Sequence, residues 1–353
     1  MNGWYKYLYY QSNDVKVEFF NIMIISKTPY RISFFGGGSD YPSWYIKNGG
    51  AVLSTTIDKY IYISCRSLPP FFDHKYRIVW SRIERVKEIK KIKHKVVRDM
   101  LNLYKIKDGL EIHYDGDLPA RSGMGSSSVF VVGLMNLLNN FQGKKINKLN
   151  LATKSIYFEQ NILKEAVGSQ DQIAASYGGF NKIIFKKGGG FKVHPLNIKK
   201  GVVEKLNKNL LLIYTGQQRN APDVAKSYIN KLKVSKKFHI LKILEFVKQG
   251  EKLLKDSDLD GFGRLLHESW LEKKDLSSSM SNSKIDQIYD AALKRGALGG
   301  KLLGAGGGGF LLFYVPPSKQ KNIINYFKKL ITIPINFSYE GSKILFKKIG
   351  KTQ

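Results

Sequence analysis

Three glycine-rich clusters, spaced along the chain, restrict its fold more than any other feature. They read GGGSD at 36–40, GMGSSS at 123–128 and GAGGGG at 304–309. Glycine permits close backbone approach and left-handed turns, so one such cluster alone is ordinary turn chemistry. Three clusters at the start, middle and end of one chain predict loops that converge on a ligand. The alternative is that each forms a separate tight hairpin.

The composition is that of a cytoplasmic globular protein. The chain has 353 residues, of which 43% are hydrophobic, and its longest apolar runs, such as Val129–Leu138, are far shorter than the ~20 residues of a membrane-spanning helix. With Cys65 alone, no internal disulfide can form, which is typical of a reducing compartment. Residues 1–22 lack a signal-peptide pattern, and Met23 opens a strand pattern, so we expect 1–22 to be a flexible or non-native extension.

The formal net charge is +30, which by itself would favour a nucleic-acid partner. The excess is mostly lysine, spread over segments such as KEIKKIKHK and KLKVSKK, which we interpret as solvated helix faces, and FKKIGK, which we interpret as a tail. No zinc-ligand spacing or RNA-binding signature accompanies them. An anionic substrate or a lysine-rich proteome explains the charge with fewer assumptions.

Apolar periodicity predicts an α+β protein of two lobes. Alternation predicts strands near 24–35, 51–65, 110–115, 180–186, 208–215, 308–315 and 332–338. Helical spacing predicts helices near 126–140, 148–163, 222–232, 236–254, 259–273, 284–295 and 318–330. The first lobe should be strand-rich and the second should hold most of the long helices, with 186–201 between them.

The GMGSSS loop allows two interpretations. It lacks the lysine of a P-loop and the third glycine of a dinucleotide fingerprint. What remains is glycines and hydroxyls before a helix, whose free N–H groups and positive dipole end suit a polyphosphate. A capped core helix without a ligand fits the stretch equally well.

Together the clusters resemble a known family. PYRISFFGGGSDYP, DLPARSGMGSSSVF and KLLGAGGGGF are similar, in this order, to the three motifs of the GHMP kinases, and the likeness extends from about Met23 onward. It implies the two-lobed GHMP kinase fold, with an N-terminal ATP-binding domain at 23–200, a C-terminal domain at 201–353 and the active site in the cleft between them. Within the family, GGGSDYP, GSQDQIAASYGGF and WLEKKDLSSSMS resemble most the D-glycero-D-manno-heptose 7-phosphate kinases.

The resemblance also implies cofactors. ATP phosphates would lie against the loop formed by Gly123, Met124, Gly125, Ser126, Ser127 and Ser128. Mg²⁺ would be bound by Ser126 or Ser127 and by Glu159, a carboxylate of the kind that a hard cation prefers. Without the family, Glu159 would be taken for a surface helix glutamate.

For catalysis, the resemblance implies that Asp171 is the base, since a carboxylate helps a poorly nucleophilic hydroxyl lose its proton. Arg31 would keep Asp171 ionised and offset charge on the transferred phosphoryl group. A purely structural Arg31–Asp171 ion pair is the alternative.

The sugar would be bound by the first and third clusters, through Gly36, Gly37, Gly38, Ser39, Asp40, Gly304, Gly306 and Gly307. Galactokinases have Glu-His where this chain has glycines, which argues against galactose. Asp40 alternatively caps a turn into PSWYIK. A phosphorylated sugar also needs a second anion site, for which Arg219, Lys273, Lys274 and Lys301 are candidates.

The resemblance implies an enzyme that uses ATP and Mg²⁺ to phosphorylate the anomeric hydroxyl of D-glycero-D-manno-heptose 7-phosphate, for surface glycan synthesis, and the composition favours a cytoplasmic location. We expect neither nucleic acid nor a membrane as partner, and a homodimer is an assembly it could form. An anomeric kinase for another sugar such as fucose, a non-catalytic GHMP-fold binding protein and a basic nucleic-acid-binding protein are the alternatives.

Overall fold

The computed structural model describes residues 20–217 and 237–351, which contain two β-sheets. The strands are β1 (Phe20–Phe35), β2 (Gly50–Ser67), β3 (Tyr76–Val79), β4 (Ile83–Val86), β5 (Leu110–Gly116), β6 (Phe180–Phe185), β7 (Phe191–Pro195), β8 (Leu210–Tyr214), β9 (Gly299–Leu302), β10 (Phe310–Tyr314), β11 (Thr332–Ile333), β12 (Phe337–Ser338) and β13 (Lys343–Lys351).

The α-helices cover these sheets. They are α1 (Pro42–Asn48), α2 (Lys95–Leu103), α3 (Ser126–Phe141), α4 (Lys148–Tyr157), α5 (Gln170–Tyr177), α6 (Lys200–Lys208), α7 (Lys237–Lys255), α8 (Leu259–Lys274), α9 (Ser283–Leu293) and α10 (Pro317–Tyr326). A π-helical segment, Phe158–Ile162, continues α4, and short 3₁₀ turns occupy Ile89–Lys91 and Ser278–Met280.

The first lobe is built on a nine-stranded sheet with α3 in its core. The strand order is β13-β1-β2-β5-β3-β4, and β12, β6 and β7 pair alongside. Helix α3 is apolar on every side and nearly all of it is buried, as expected of a core helix. It approaches β1 closely at Gly133, where a side-chain methyl would lie 2.8 Å from the Thr28 hydroxyl.

The second lobe contains the four-stranded sheet β11-β8-β10-β9 and long helices. Every residue of β10 is buried. Trp270 of α8, Tyr289 of α9 and Phe313 of β10 form the aromatic part of this lobe's core. A larger hydrophobic cluster extends from the first sheet into this lobe, with Phe34 of β1, Phe262 of α8 and Phe310 of β10 among its members, so the two lobes share a core.

The predicted α+β architecture of two lobes is confirmed, with corrections in detail. The segment FKKIGK is not a tail, because it forms most of β13 and pairs antiparallel with β1. The segment KEIKKIKHK contains one 3₁₀ turn rather than a helix face, and 186–201 forms the β6–β7 hairpin and the approach to α6. The short elements α1, α2, α5, α6, β3, β4 and β7 were not predicted, since they are too brief to give a clear period.

Some predictions are not decided by this fold. The predicted helix at 222–232 lies outside the described residues, as does 1–19 of the expected extension, whose last residues begin β1. Strands β12 and β13 return to the first sheet, and a domain boundary near 200 stays a prediction. In the part of the chain that the structure describes, no helix is both long enough and apolar enough to cross a membrane.

Candidate active site

A cleft of about 310 Å³ lies where the three glycine-rich segments meet. The first segment contributes Gly37, Gly38 and Asp40, the second contributes 123–128 except Met124, and the third contributes Gly304 and Ala305. The convergence predicted from the sequence is thus observed. Three independent hairpins would not share one cleft.

Close backbone packing between the second and third clusters explains why they are glycines. Gly123 has φ +81°, and a β-carbon there would lie 2.4 Å from the Leu303 carbonyl oxygen. Gly304 has φ +77°, and its β-carbon would lie 2.5 Å from the Gly123 α-carbon. Any side chain would separate the two loops, so both positions require glycine.

The amino end of α3 opens into the cleft. Gly125 is its N-cap in a left-handed conformation and supplies no side-chain cap. The first-turn N–H groups therefore have no intrahelical acceptor, and the hydroxyls of Ser126 and Ser127 line the cleft beside them. Free amides at the positive end of a helix dipole form an anion site. The two interpretations of this stretch are compatible. The loop suited to an anion forms the amino end of α3, and the rest of α3 is the buried helix.

Arg31 and Asp171 form a bidentate ion pair on the cleft wall. Arg31 Nε donates to Asp171 Oδ1 at 2.7 Å, and Nη2 donates to Oδ2 at 2.8 Å. The remaining guanidinium nitrogen, Nη1, donates to the Gly123 carbonyl oxygen at 2.9 Å. The Arg31 side chain is 4% exposed and that of Asp171 is 20% exposed. Asp171 is thus held against the phosphate loop and still reaches the cleft.

Asp40 is a second carboxylate in the cleft, almost fully buried. It accepts hydrogen bonds from the Gly38 amide at 2.9 Å and from Gln170 Nε2 at 3.0 Å. Burial, and then the charge of Asp171, raises its pKa. The alternative was that Asp40 caps a turn into PSWYIK; the N-cap of α1 is Tyr41, and the Asp40 carboxylate instead accepts from the preceding Gly38 amide.

Glu159 is fully buried rather than on the helix surface, in the π-helical segment that follows α4. One carboxylate oxygen accepts a 2.5 Å hydrogen bond from Gln172 Nε2, which also lies 3.2 Å from the Ser128 hydroxyl. The other, Oε1, has no partner among the described residues. Burial raises the pKa of Glu159 to about 8. An orphaned carboxylate oxygen beside a serine-rich loop fits a Mg²⁺ site.

Two of the candidate basic side chains also reach the cleft. Lys273 of α8 and Lys301 of β9 are 7% and 3% exposed. Lys273 Nζ donates to the Gly304 carbonyl at 2.5 Å, and Lys301 Nζ donates to the Phe34 carbonyl at 2.6 Å.

The pKa values of both lysines are lowered. For Lys273 the pKa falls to about 8, because burial and the Arg31 charge outweigh the opposite effects of Asp40 and Asp171. The pKa of Lys301 lies well below its usual value because of burial, Lys273 and Arg31. The five groups therefore form one electrostatic cluster.

The other predicted site residues are placed differently. Lys274 lies at the end of α8, where it pairs with Asp286 at 3.4 Å, and Arg219 lies outside the described residues. Gly36 and Ser39 pack within the first turn against β2, while Gly306 and Gly307 contact Met280. Met124 is buried beneath its loop. Gly36, Ser39, Met124, Gly306 and Gly307 therefore shape the loops that line the cleft rather than the cleft surface itself.

The sequence did not reveal several polar residues of the site. Gln170 and Gln172 flank Asp171 and hold Asp40 and Glu159 respectively. The phrase SQDQ was visible, but glutamines have too many uses for a role to be assigned. Ser33 and Glu165 also line the cleft, and nothing in their local pattern marked them.

A wider depression of about 420 Å³ lies elsewhere, between α6, the start of α8 and β10. Its carboxylates are already engaged, because Asp258 caps α8 and Asp260 accepts a hydrogen bond from Tyr314 at 2.9 Å. It contains no glycine-rich loop. The smaller cleft is therefore the better candidate for the active site.

Comparison with known proteins shows the family of this chain. Residues 88–179 match the GHMP kinases N terminal domain, and residues 251–331 match the GHMP kinases C terminal domain. A Campylobacter jejuni protein named D-glycero-alpha-D-manno-heptose 7-phosphate kinase is 30% identical over 336 residues, covering 91% of this chain and 98% of that protein. An Arabidopsis thaliana bifunctional fucokinase/GDP-fucose pyrophosphorylase is 26% identical over 83% of this chain and 30% of its own length.

The fold comparison gives the same result. A crystal structure described as a D-glycero-D-manno-heptose 1-phosphate kinase from Bacteroides thetaiotaomicron superposes with a TM-score of 0.75 and 23% identity, covering 92% of this chain and 99% of that one. At 23% identity, this likeness shows the fold alone. With its three glycine loops, its cleft and its near full-length relative at 30% identity, the chain belongs to the GHMP kinase family and is an ATP-dependent kinase.

Proposed function

We propose that this protein is a sugar kinase that transfers the γ-phosphoryl group of ATP to the anomeric hydroxyl of D-glycero-D-manno-heptose 7-phosphate. The observation that carries the proposal is the Arg31–Asp171 pair, held 2.7 and 2.8 Å apart beside the uncapped amino end of α3. This arrangement places a carboxylate next to an anion site. The product is a 1,7-bisphosphate, which suits activated heptose for surface glycans.

The nucleotide phosphates lie against residues 123–128, where helix N–H groups and serine hydroxyls offer donors. Mg²⁺ would be bound by Glu159 and by a serine hydroxyl of that loop, Ser126 or Ser127, and it supplies charge neutralisation on the nucleotide phosphates. Gln172 holds one oxygen of Glu159 and leaves the other free.

Asp171 acts as the base for the acceptor hydroxyl. Arg31 keeps it ionised and fixes its orientation through both carboxylate oxygens. An anomeric hydroxyl is more acidic than an ordinary alcohol, so positioning and charge neutralisation contribute more than proton removal. Asp40, oriented by Gln170 and Gly38, accepts a hydrogen bond from the sugar, with Gly37 and Gly38 leaving room for a long substrate.

A phosphorylated substrate is favoured by the relative at 30% identity, which over almost its whole length bears a heptose 7-phosphate kinase name. Arg219 and Lys274 stay candidates for contact with the substrate's own phosphate. A homodimer and a cytoplasmic location are part of the same proposal.

Fucose is the second candidate, since a bifunctional fucokinase is among the relatives. That relative is 26% identical and this chain covers 30% of its length, against 30% identity and 98% for the heptose 7-phosphate kinase. The phosphorylated heptose is therefore the better-supported substrate.

The test is ATP turnover with Mg²⁺ on heptose 7-phosphate, the unphosphorylated heptose, mannose, fucose, galactose and mevalonate. We expect turnover on heptose 7-phosphate, with kcat/KM at least about a hundredfold above that for the neutral heptose, since charged contacts to a phosphate are worth about 3 kcal/mol together. If fucose is turned over in preference, fucose is the substrate and the heptose 7-phosphate proposal is wrong. No turnover on any sugar would overturn the proposed activity.

A further inference from the structure

The cleft contains more positive charge than its carboxylates balance. Four basic side chains line it, Arg31, Arg121, Lys273 and Lys301, with three carboxylates, Asp40, Glu165 and Asp171. Arg31 already satisfies both oxygens of Asp171. Neither lysine forms an ion pair with a carboxylate within the described ranges 20–217 and 237–351, and each donates only to a backbone carbonyl. Buried lysines without a paired carboxylate are costly, so a site of this kind is completed by an anionic ligand.

Two anions are available in the proposed reaction, the transferred phosphoryl group and the phosphate that the sugar already carries. They are separated by most of the length of the sugar. One pair of neighbouring lysines cannot serve both at once. The contacts of the pair decide between them.

Lys273 is tied to the phosphate loop. Its Nζ donates to the Gly304 carbonyl, and Gly304 packs directly on Gly123. The carbonyl of Gly123 in turn accepts a hydrogen bond from Arg31. Lys273 and Arg31 are thus anchored on either side of the same backbone contact, next to Asp171.

Lys301 of β9 is hydrogen-bonded to β1, the strand that contains Arg31. Its Nζ donates to the carbonyl of Phe34, three positions along β1. Lys301 is close enough to Lys273 and Arg31 for both charges to lower its pKa, as Lys273 is to Arg31, Asp40 and Asp171. Both ammonium groups therefore belong to the reacting end of the cleft.

We infer that Lys273 and Lys301 are catalytic residues that neutralise the phosphoryl group during its transfer, rather than residues that hold the sugar's own phosphate. The inference rests on the proposed kinase reaction. In that reaction the acceptor oxygen bonds to the γ-phosphorus, the bond from that phosphorus to the β–γ bridging oxygen breaks, and the hydroxyl proton passes to Asp171. Negative charge on the equatorial oxygens meets the two ammonium groups and Arg31.

Kinetics can distinguish a lysine that binds the sugar's phosphate from a lysine that stabilises the transferred phosphoryl group. A lysine that holds the sugar's phosphate contributes to binding, so its loss raises KM and Kd for heptose 7-phosphate and leaves the neutral heptose unaffected. Loss of a lysine that stabilises the transition state lowers kcat for both sugars. The two outcomes do not overlap.

The experiment compares Lys273→Met and Lys301→Met with Lys252→Met, which removes an exposed lysine on α7. We expect kcat to fall by about 10²–10³ in each cleft variant on heptose 7-phosphate and on neutral heptose, with Kd for heptose 7-phosphate, measured by calorimetry without nucleotide, within about threefold of wild type. Lys252→Met should match wild type. Lys273→Arg should recover part of kcat, which a variant that merely fails to fold would not show.

A second measurement does not depend on the identity of the acceptor. ADP with Mg²⁺ and aluminium fluoride mimics the transferred phosphoryl group, and we expect both methionine variants to bind it at least about tenfold more weakly than wild type, while binding ADP alone normally. If instead Kd for heptose 7-phosphate rises tenfold and kcat on neutral heptose is unchanged, the inference is wrong. If wild type turns over a different sugar, the substrate proposal fails, and the aluminium fluoride comparison still decides the role of the lysines.

Discussion

Replacement of Asp171 by asparagine separates a catalytic role of the Arg31–Asp171 pair from a structural one. Asparagine has nearly the same shape and can still accept one hydrogen bond from Arg31. It removes the negative charge and one of the two charged hydrogen bonds from Arg31, which are 2.7 and 2.8 Å long in the wild-type protein. The Arg31 guanidinium would keep its bond to the Gly123 carbonyl.

The two roles predict different magnitudes. The free energy of unfolding should fall by about 2 kcal/mol, because a buried arginine loses its counter-charge, but Asp171 is partly solvated and the full cost of a buried pair does not apply. Loss of the base should lower kcat by about 10²–10⁴, with the Kd values of ATP and sugar changed much less. The activity loss therefore exceeds anything that partial unfolding would cause.

The assay is ADP release with saturating substrates, together with urea unfolding. Asp99→Asn is a matched control, since the Asp99 side chain is 21% exposed, close to the 20% of Asp171, and pairs with Arg98 and Lys95 on α2 away from the cleft. It should lose little stability and no activity. A kcat of Asp171→Asn within tenfold of wild type would refute the base and leave the ion pair structural.

Three further changes test other parts of the site. Glu159→Gln should raise the Mg²⁺ concentration for half-maximal activity about ten- to a hundredfold without loss of metal-free stability, because a buried carboxylate becomes a neutral amide; an unchanged Mg²⁺ titration would contradict the metal site. Gly123→Ala should lower the free energy of unfolding by at least about 1 kcal/mol more than Gly143→Ala, since both have positive φ but only Gly123 would clash, with the Leu303 carbonyl; equal losses in urea titrations would refute that close packing. The kcat/KM–pH profile, which reports the free enzyme, should decline as pH rises through about 8, where Lys273 loses its proton, and Lys273→Arg should move that decline to higher pH; identical profiles would exclude a role for that charge.

The local residue pattern was sufficient to predict elements whose apolar pattern continues over many residues. The apolar run after Ser128 predicted a core helix, and α3 is one, because a helix that is hydrophobic on all sides can only be buried. The last strand was missed for the opposite reason. FKKIGK carries two adjacent lysines and a third at its end, as an exposed edge strand can, and such a segment resembles a solvated tail until its pairing with β1 is known.

Within the site, the residues that motifs carry were found and the residues that orient them were not. Arg31, Asp40 and Asp171 lie in recognisable phrases, and the structure brings all three to one cleft. Gln170 and Gln172 act only through contacts made by folding, with Asp40 and Glu159. Burial is similarly hidden from a sequence, so nothing local separated Lys273 from its neighbour Lys274, although they face different surroundings.

The most direct measurement is ³¹P NMR of the product formed from ATP, Mg²⁺ and D-glycero-D-manno-heptose 7-phosphate by the wild-type protein, with Asp171→Asn run alongside. The account predicts a second sugar phosphate signal coupled to the anomeric proton, with the 7-phosphate signal retained, and only a trace of it with the variant. A new phosphate on any other carbon, or equal product from both proteins, would contradict an anomeric kinase that uses Asp171 as its base.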